Sequence, residues 1–126
     1  MQNPSNLRVF VQAEELAVLV YRLARTLPLE ERFALSQQMR RAAVSIGSNI
    51  AEGCGRGGNK ELLRFLSIAL GSATELEFQL RIAHRLGYGD EATRAETVAR
   101  TFRVQRMLTR LITRLRPALG ASRGRP

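Results

Sequence analysis

The sequence predicts an all-α chain folded as an antiparallel up-down four-helix bundle. Three observations predict it. Apolar residues recur at spacings of three and four in four separate blocks. Proline and glycine fall between the blocks in short connections, which pack successive helices side by side. No stretch alternates with period two over a useful length, so no strand is expected. Composition agrees: tryptophan is absent, and the helix-forming residues Ala, Leu, Arg and Glu dominate the 126 residues. That length sets one domain with one core.

The first block carries Val9, Ala13, Leu16, Val20, Leu23 and Leu27 and stops at Pro28, giving a helix over about residues 8–27. The second, over about 30–53, opens with Glu30 and Glu31, acids that complement a helix N-terminus. It runs through Leu35, Met39, Ala42, Ala43, Ile46 and Ile50 and ends at Gly53. The third, over about 59–86, starts at Asn59, expected as its N-cap, and carries Leu62, Leu66, Ala69, Ala73, Leu76, Leu80 and Ala83. The fourth opens at Asp90 and Glu91 and covers about 91–116, with Pro117 expected to end it. The first six residues and the tail 117–126 are expected to be flexible.

Between the middle helices the chain reads GCGRGGNK. Gly53, Gly55 and Gly58 fit G-x-G-x-x-G, and Gly53 and Gly58 have the spacing of a P-loop with Asn59 in place of its lysine. Both phosphate-binding fingerprints need a strand before the glycines, whereas a helix ending SIGSNIAEG precedes these. The stretch therefore reads as a helix end and a reversal, and no cofactor is expected. Cys54 is the only cysteine, which excludes an intrachain disulfide and a cysteine metal cluster. It reads as an incidental free thiol in the turn. His84 has no partner constellation, and Glu14, Glu15, Glu30 and Glu31 read as complements to helix dipoles. With no nucleophile–base set, metal site or cofactor loop, no enzyme is expected. No leader-like start and no apolar run near the ~20 residues of a bilayer span are present, so a cytoplasmic location without membrane contact is expected.

The third helix is apolar on two sides. Off its core stripe lie Phe65, Ile68, Gly71, Ser72, Glu75, Phe78 and Ile82, and a four-helix bundle hides only one face of a helix. Self-association that buries the second face is the expected relief. The second helix carries a polar stripe, Gln38, Arg41, Ser45, Ser48, Asn49 and Glu52, and a hairpin about residues 56 and 57 puts Arg41 level with Ser72 and near Glu75. An Arg41–Glu75 pair, with Gln38 and Ser72 supplying hydrogen bonds, is expected at that interface.

The same run, QQMRRAAVSIGSNIAEGCGRGGNKELLRFLSIALGSATELEFQL, resembles the core signature of the small bacterial four-helix-bundle proteins named for the intervening sequences of 23S rRNA genes. That pattern is similar to Q-x-x-R-A-x-x-S-I-x-x-N-I-A-E-G, here on Gln38, Arg41, Ala42, Ser45, Ile46, Asn49, Ile50, Ala51, Glu52 and Gly53. Its second half, F-x-x-F-L-x-I-A-x-G-S-x-x-E-L, falls on Leu62, Phe65, Leu66, Ile68, Ala69, Gly71, Ser72, Glu75 and Leu76, with Leu62 replacing the aromatic. The resemblance implies a homo-oligomeric ring, a homopentamer in known relatives. The architecture also resembles the basic accessory subunits of diversity-generating retroelements, which bind nucleic acid and a reverse transcriptase.

Charge supplies the functional expectation. The net charge is +9, and residues 97–126 hold eight arginines and no acid. In the fourth helix Arg100, Arg103, Arg106, Arg110 and Arg114 share one face, with Val104, Leu108, Leu111, Ile112 and Leu115 mostly opposite. Guanidinium groups stepping along a helix suit phosphates rather than base edges, so nucleic acid, RNA or DNA, is the expected partner. Arg116, Arg123 and Arg125 extend the stripe into the tail. No aromatic ladder or helix-turn-helix grammar is visible, which argues against sequence specificity. The bland reading of the stripe is a solvated face whose arginines pair with acids on neighbouring helices. The alternative function is an oligomeric scaffold or adaptor that binds a protein partner, with the arginines incidental.

Overall fold

The computed structural model describes residues 3, 4 and 7–122, with side chains as far as Arg116. Arg123 and Arg125 of the expected flexible tail lie outside the described residues, as do residues 1, 2, 5 and 6. Every regular element among the described residues is helical: α1 (Arg8–Ala24), α2 (Leu35–Gly55), α3 (Asn59–Leu86) and α4 (Glu91–Ser122), with a single 3-10 turn at Leu29–Glu31. Each long helix packs on its sequence neighbour and α1 packs on α4, closing a four-helix bundle. Leu16, Leu23, Met39, Ile46, Ile50, Leu66, Leu76, Leu80 and Leu108 fill its fully buried interior.

The helix ends depart from expectation for local reasons. α1 stops at Ala24, because Thr26 turns its hydroxyl onto the Leu23 carbonyl at 2.7 Å and Pro28 disfavours helical backbone just before it. Leu27 still reaches the core from outside the helix. The acids at 30 and 31 sit in the 3-10 turn, not in α2, yet Glu31 serves the helix start, accepting the Leu35 N–H at 3.2 Å. Asn59 is the first residue of α3 rather than its cap; Gly58 occupies that position without a side-chain bond. Asp90 does cap α4, its carboxylate accepting the backbone N–H of Thr93 at 2.9 Å and the Thr93 hydroxyl at 2.7 Å. These bonds lower the Asp90 carboxyl below its usual value.

Pro117 does not end α4, which continues to Ser122. Proline removes the bond to the Thr113 carbonyl and crowds it, but Thr113 lies on the exposed flank, where the carbonyl can tilt outward and bond water. α2 likewise runs unbroken through Gly47.

The glycine-rich stretch is a helix-to-helix turn. α2 continues through Gly53 and Cys54 to Gly55, and Gly57 takes the left-handed φ of 82° that favours glycine. Gly53 matters for a different reason, since a Cβ there would stand 2.9 Å from the Phe65 Cβ and 3.4 Å from the Leu62 Cα. With Ala42, Ala69 and Ala73 also buried, small residues let α2 and α3 approach closely. Cys54 is buried rather than presented in the turn, and burial pushes its thiol up.

Candidate nucleic-acid interface

The structure divides the five arginines expected to act together. Thr101, Val104, Leu108 and Ile112 are buried and fix which side of α4 faces the core. Arg103, Arg106, Arg110 and Arg114 stand on the opposite flank, exposed and without an ion-pair partner among the described residues. Arg100 is different. It is half-buried and donates to the Glu15 carboxylate of α1 at 2.8 Å. One guanidinium of the stripe is thus neutralised by an acid from the neighbouring helix, and four remain free.

Packing adds a cation that the sequence pattern did not include. Arg8, the first residue of α1, lines a concavity of about 280 Å³ with Arg110 and Arg114, over a floor of Leu7, Val9, Met107 and Leu111. The available signal was the spacing of Arg8, Val11, Glu15, Val18 and Arg22, one flank of α1 that includes two exposed arginines. What the spacing does not give is that this flank borders α4. The arrangement presents arginines from two helices at one end of the bundle, over an apolar floor that keeps their stems in contact with protein.

The residues expected at an oligomer interface separate into three groups. Phe65 is not on an open face: it is buried, 8% exposed, wedged against Gly53 with the guanidinium groups of Arg56 and Arg64 at 5.3 and 5.1 Å from its ring centroid. That corrects its assignment to the second face. The close helix approach at Gly53 turns the Phe65 flank of α3 into the α2–α3 seam. Ile68 and Phe78 do remain out, 42% and 61% exposed, with Ile82 half-buried and Glu75 exposed beside them.

On the α2 side, Gln38, Arg41 and Glu52 are exposed, and Ser45 and Asn49 are half-buried. The Arg41–Glu75 pair does not form; neither residue has an ion-pair partner among the described residues. Ser45 and Ser72 take that place, sharing a hydrogen bond of 2.9 Å, and the Asn49 amide donates to the Ser45 hydroxyl at 3.0 Å. Helical side chains lean toward their own N-termini, away from the turn in α2 and toward it in α3, so the α2 partner of Ser72 lies nearer the turn than the Cα level of Ser72 suggests. Glu52 pairs with Arg56 one turn on, at 3.0 Å.

Other polar groups are satisfied structurally. Arg94 is buried and donates to the carbonyls of Tyr88 at 2.6 Å and Gly89 at 3.4 Å, holding the α3–α4 loop. His84 is exposed at the rim of a cavity of about 420 Å³ between α3 and α4, floored by Leu80, Ala95, Val98 and Phe102. No helix among the described residues is long and apolar enough to cross a membrane.

Comparison with known proteins fits this architecture. The solved structure of a protein of unknown function from the S23 ribosomal protein family of Bacteroides thetaiotaomicron VPI-5482 is similar, with a TM-score of 0.77 at 27% identity. The likeness covers 88% of this chain and 99% of that one. No curated protein gives a match. The family model described as 23S rRNA-intervening sequence protein matches residues 5–110, which takes in the Ser45–Ser72 seam, the turn at Gly57 and the arginine flank as far as Arg110. On that match over most of its length, the chain belongs to the 23S rRNA-intervening sequence protein family.

Proposed function

We propose that this protein is a non-enzymatic, oligomeric, basic helical bundle that binds RNA or DNA through backbone phosphates, as an accessory factor. The observation that carries the reading is the free arginine flank. Arg103, Arg106, Arg110 and Arg114 face outward without acids to neutralise them, and Arg8 joins the last two. Unpaired arginines on a chain of net charge +9 are the electrostatic footprint of a polyanion partner. The burial of Cys54, the one cysteine, supports a role without thiol chemistry.

In this reading the helices run alternately up and down, and copies associate through the α2–α3 face into a ring, which repeats the arginine flank and gains affinity by avidity. The exposed Ile68 and Phe78 support association there. Light scattering of the full chain and of an Ile68→Glu/Phe78→Glu variant tests it: a lower mass for the variant is expected, and a wild-type monomer would refute it.

Nucleic-acid binding is tested by titrating a duplex and a structured RNA over a range of salt. Four to five phosphate contacts per protomer predict a slope of log K against log salt of about −4. Arg110→Gln with Arg114→Gln should flatten it by about 2. Absence of binding at low salt, or binding indifferent to salt, refutes the reading. The pairing of Arg100 with Glu15 favours the alternative, a protein-binding scaffold, and in that case nucleic acid would not copurify with the protein.

A further inference from the structure

A second basic surface lies at the other end of α1, away from the α4 flank. Two adjoining concavities of about 300 and about 410 Å³ share Tyr21 of α1 and Arg40 of α2. Arg25 and Arg32 line the first and Arg41 lines the second, while no acid lines either. None of these four arginines has an ion-pair partner among the described residues. The nearby Glu30 and Glu31 pair with none of them, and the Glu31 carboxylate accepts the Leu35 N–H at 3.2 Å.

Two exposed aromatic rings belong to this region, Tyr21 lining both concavities and Phe33 next in the chain to Arg32. Tyr21 is 45% exposed, with the Arg40 guanidinium 5.9 Å from its centroid, and Phe33 is 76% exposed, with Arg32 at 5.1 Å. The Arg40 guanidinium is held in position by a bond of 3.4 Å to the Arg32 carbonyl. Tyr21 of α1, Arg32 of the connecting segment and Arg40 of α2 line the first concavity together, so only folding brings them there.

From this juxtaposition we infer that the α1–α2 end binds an unpaired segment of a nucleic-acid strand. A base stacks in the concavity beside Tyr21, and Arg25, Arg32 and Arg40 take the flanking phosphates. The inference rests on the nucleic-acid reading above and gives it a preference, single strand over duplex, that the α4 flank by itself does not supply. Exposed rings among unpaired cations are what a flipped or unstacked base requires, because every base offers a π face. A concavity suits a planar base better than the extended surface of a membrane. Arg41 and Ser45 mark its border with the face proposed for self-association.

Labelled oligouridylate and a duplex RNA of equal length, titrated against the full chain and its variants, test the site. Tyr21→Ala should weaken single-strand binding about tenfold, the worth of one base–aromatic stack, and leave duplex binding within about twofold. Tyr21→Phe should restore it. The protein has no tryptophan and a second tyrosine only at Tyr88, so in a Tyr88→Phe background the oligonucleotide should quench Tyr21 emission directly. Unchanged single-strand affinity in Tyr21→Ala, or equal losses for strand and duplex, overturns the site. If Arg110→Gln with Arg114→Gln still weakens duplex binding and flattens its salt slope, the α4 reading survives that failure; if the wild-type chain binds neither RNA, both fall. Binding to phosphatidylserine vesicles that Phe33→Ala and Arg40→Gln abolish, with oligouridylate affinity unmoved, would assign the surface to a membrane and overturn the inference.

Discussion

Replacing Gly53 by alanine should destabilise the protein although it removes a glycine from a helix interior. In an isolated helix the exchange gains about 1 kcal/mol. Here the new methyl would stand 2.9 Å from the Phe65 Cβ, 3.2 Å from Leu62 Cδ1 and 3.4 Å from the Leu62 Cα. Ordinary carbon contacts lie at about 3.5–4.0 Å, so roughly half an ångström or more must be found. Phe65 cannot yield it by a rotamer change, because its Cβ is fixed to the α3 backbone and its ring is pinned beneath Arg56 and Arg64. The two helices must part instead, stretching the Ser45–Ser72 bond along the same seam.

Overpacking of this kind costs about 1–3 kcal/mol, which exceeds or cancels the propensity gain and leaves a net loss of about 0–2 kcal/mol. In a chain of 126 residues a loss of 1–2 kcal/mol lowers the melting temperature by about 3–10 °C. Gly47→Ala is the internal control. A Cβ at Gly47 would lie 3.9 Å from the Ala13 Cβ, an ordinary contact. It should therefore keep the propensity gain and melt about 2–5 °C higher than the parent. Thermal melts by circular dichroism at equal protomer concentration decide the matter. A Gly53→Ala protein that melts at or above Gly47→Ala would refute the close-approach argument.

Three further outcomes follow. Glu15→Gln frees Arg100 from its 2.8 Å pair; losing this half-exposed pair should cost about 1 kcal/mol of stability or less, while the nucleic-acid salt slope steepens by about 1. Asp90 carries a depressed carboxyl, so its contribution to stability is complete above the unfolded value of 3.8 and disappears as pH falls through the lower folded value. Asp90→Asn, which keeps an acceptor for the Thr93 N–H, should melt with a shallower acid dependence between about pH 5 and about pH 2 than the parent. Cys54, buried with a raised thiol, should resist iodoacetamide at about pH 8 and react fully in denaturant; rapid alkylation of the native protein would contradict its placement in the core.

The helices and the core were legible in the sequence because burial follows the 3.6-residue period: Val9 to Leu27, Met39 to Ile50 and Val104 to Ile112 all reach the interior their spacing assigns. The helix ends were less so. Thr26 and Glu31 act through side-chain bonds that leave no periodic trace, and Pro117 was tolerated because water can satisfy the carbonyl it orphans. Phe65 was misplaced because a wheel gives an angle but not the width of the neighbouring groove, which Gly53 widens from the other helix. For the same reason Arg100 reads as one of five equal cations until α1 brings Glu15 against it. Arg8 and Tyr21 are invisible as site residues in one dimension, since what makes each notable is a side chain about a hundred or about twenty residues away.

The two proposed surfaces place compatible demands on one small domain because its charges are unevenly paired. Along the α2–α3 face, Arg56 is held by Glu52 and Arg64 by Glu61, both pairs within one helix, and exposed Ile68 and Phe78 lie on the same side. Copies meeting there would bring together apolar side chains, two locally balanced pairs, and Arg41 and Glu75, which are unpaired but of opposite sign. The α1–α4 flank has one such pair, Arg100 with Glu15, and leaves Arg8, Arg103, Arg106, Arg110 and Arg114 unbalanced. Association through that flank would press like charges together and exclude the water that screens them, which costs more than the contact returns. Under the proposed reading, self-repulsion would direct assembly to the opposite side of the bundle and keep the guanidinium groups outward, where a phosphate backbone would relieve them.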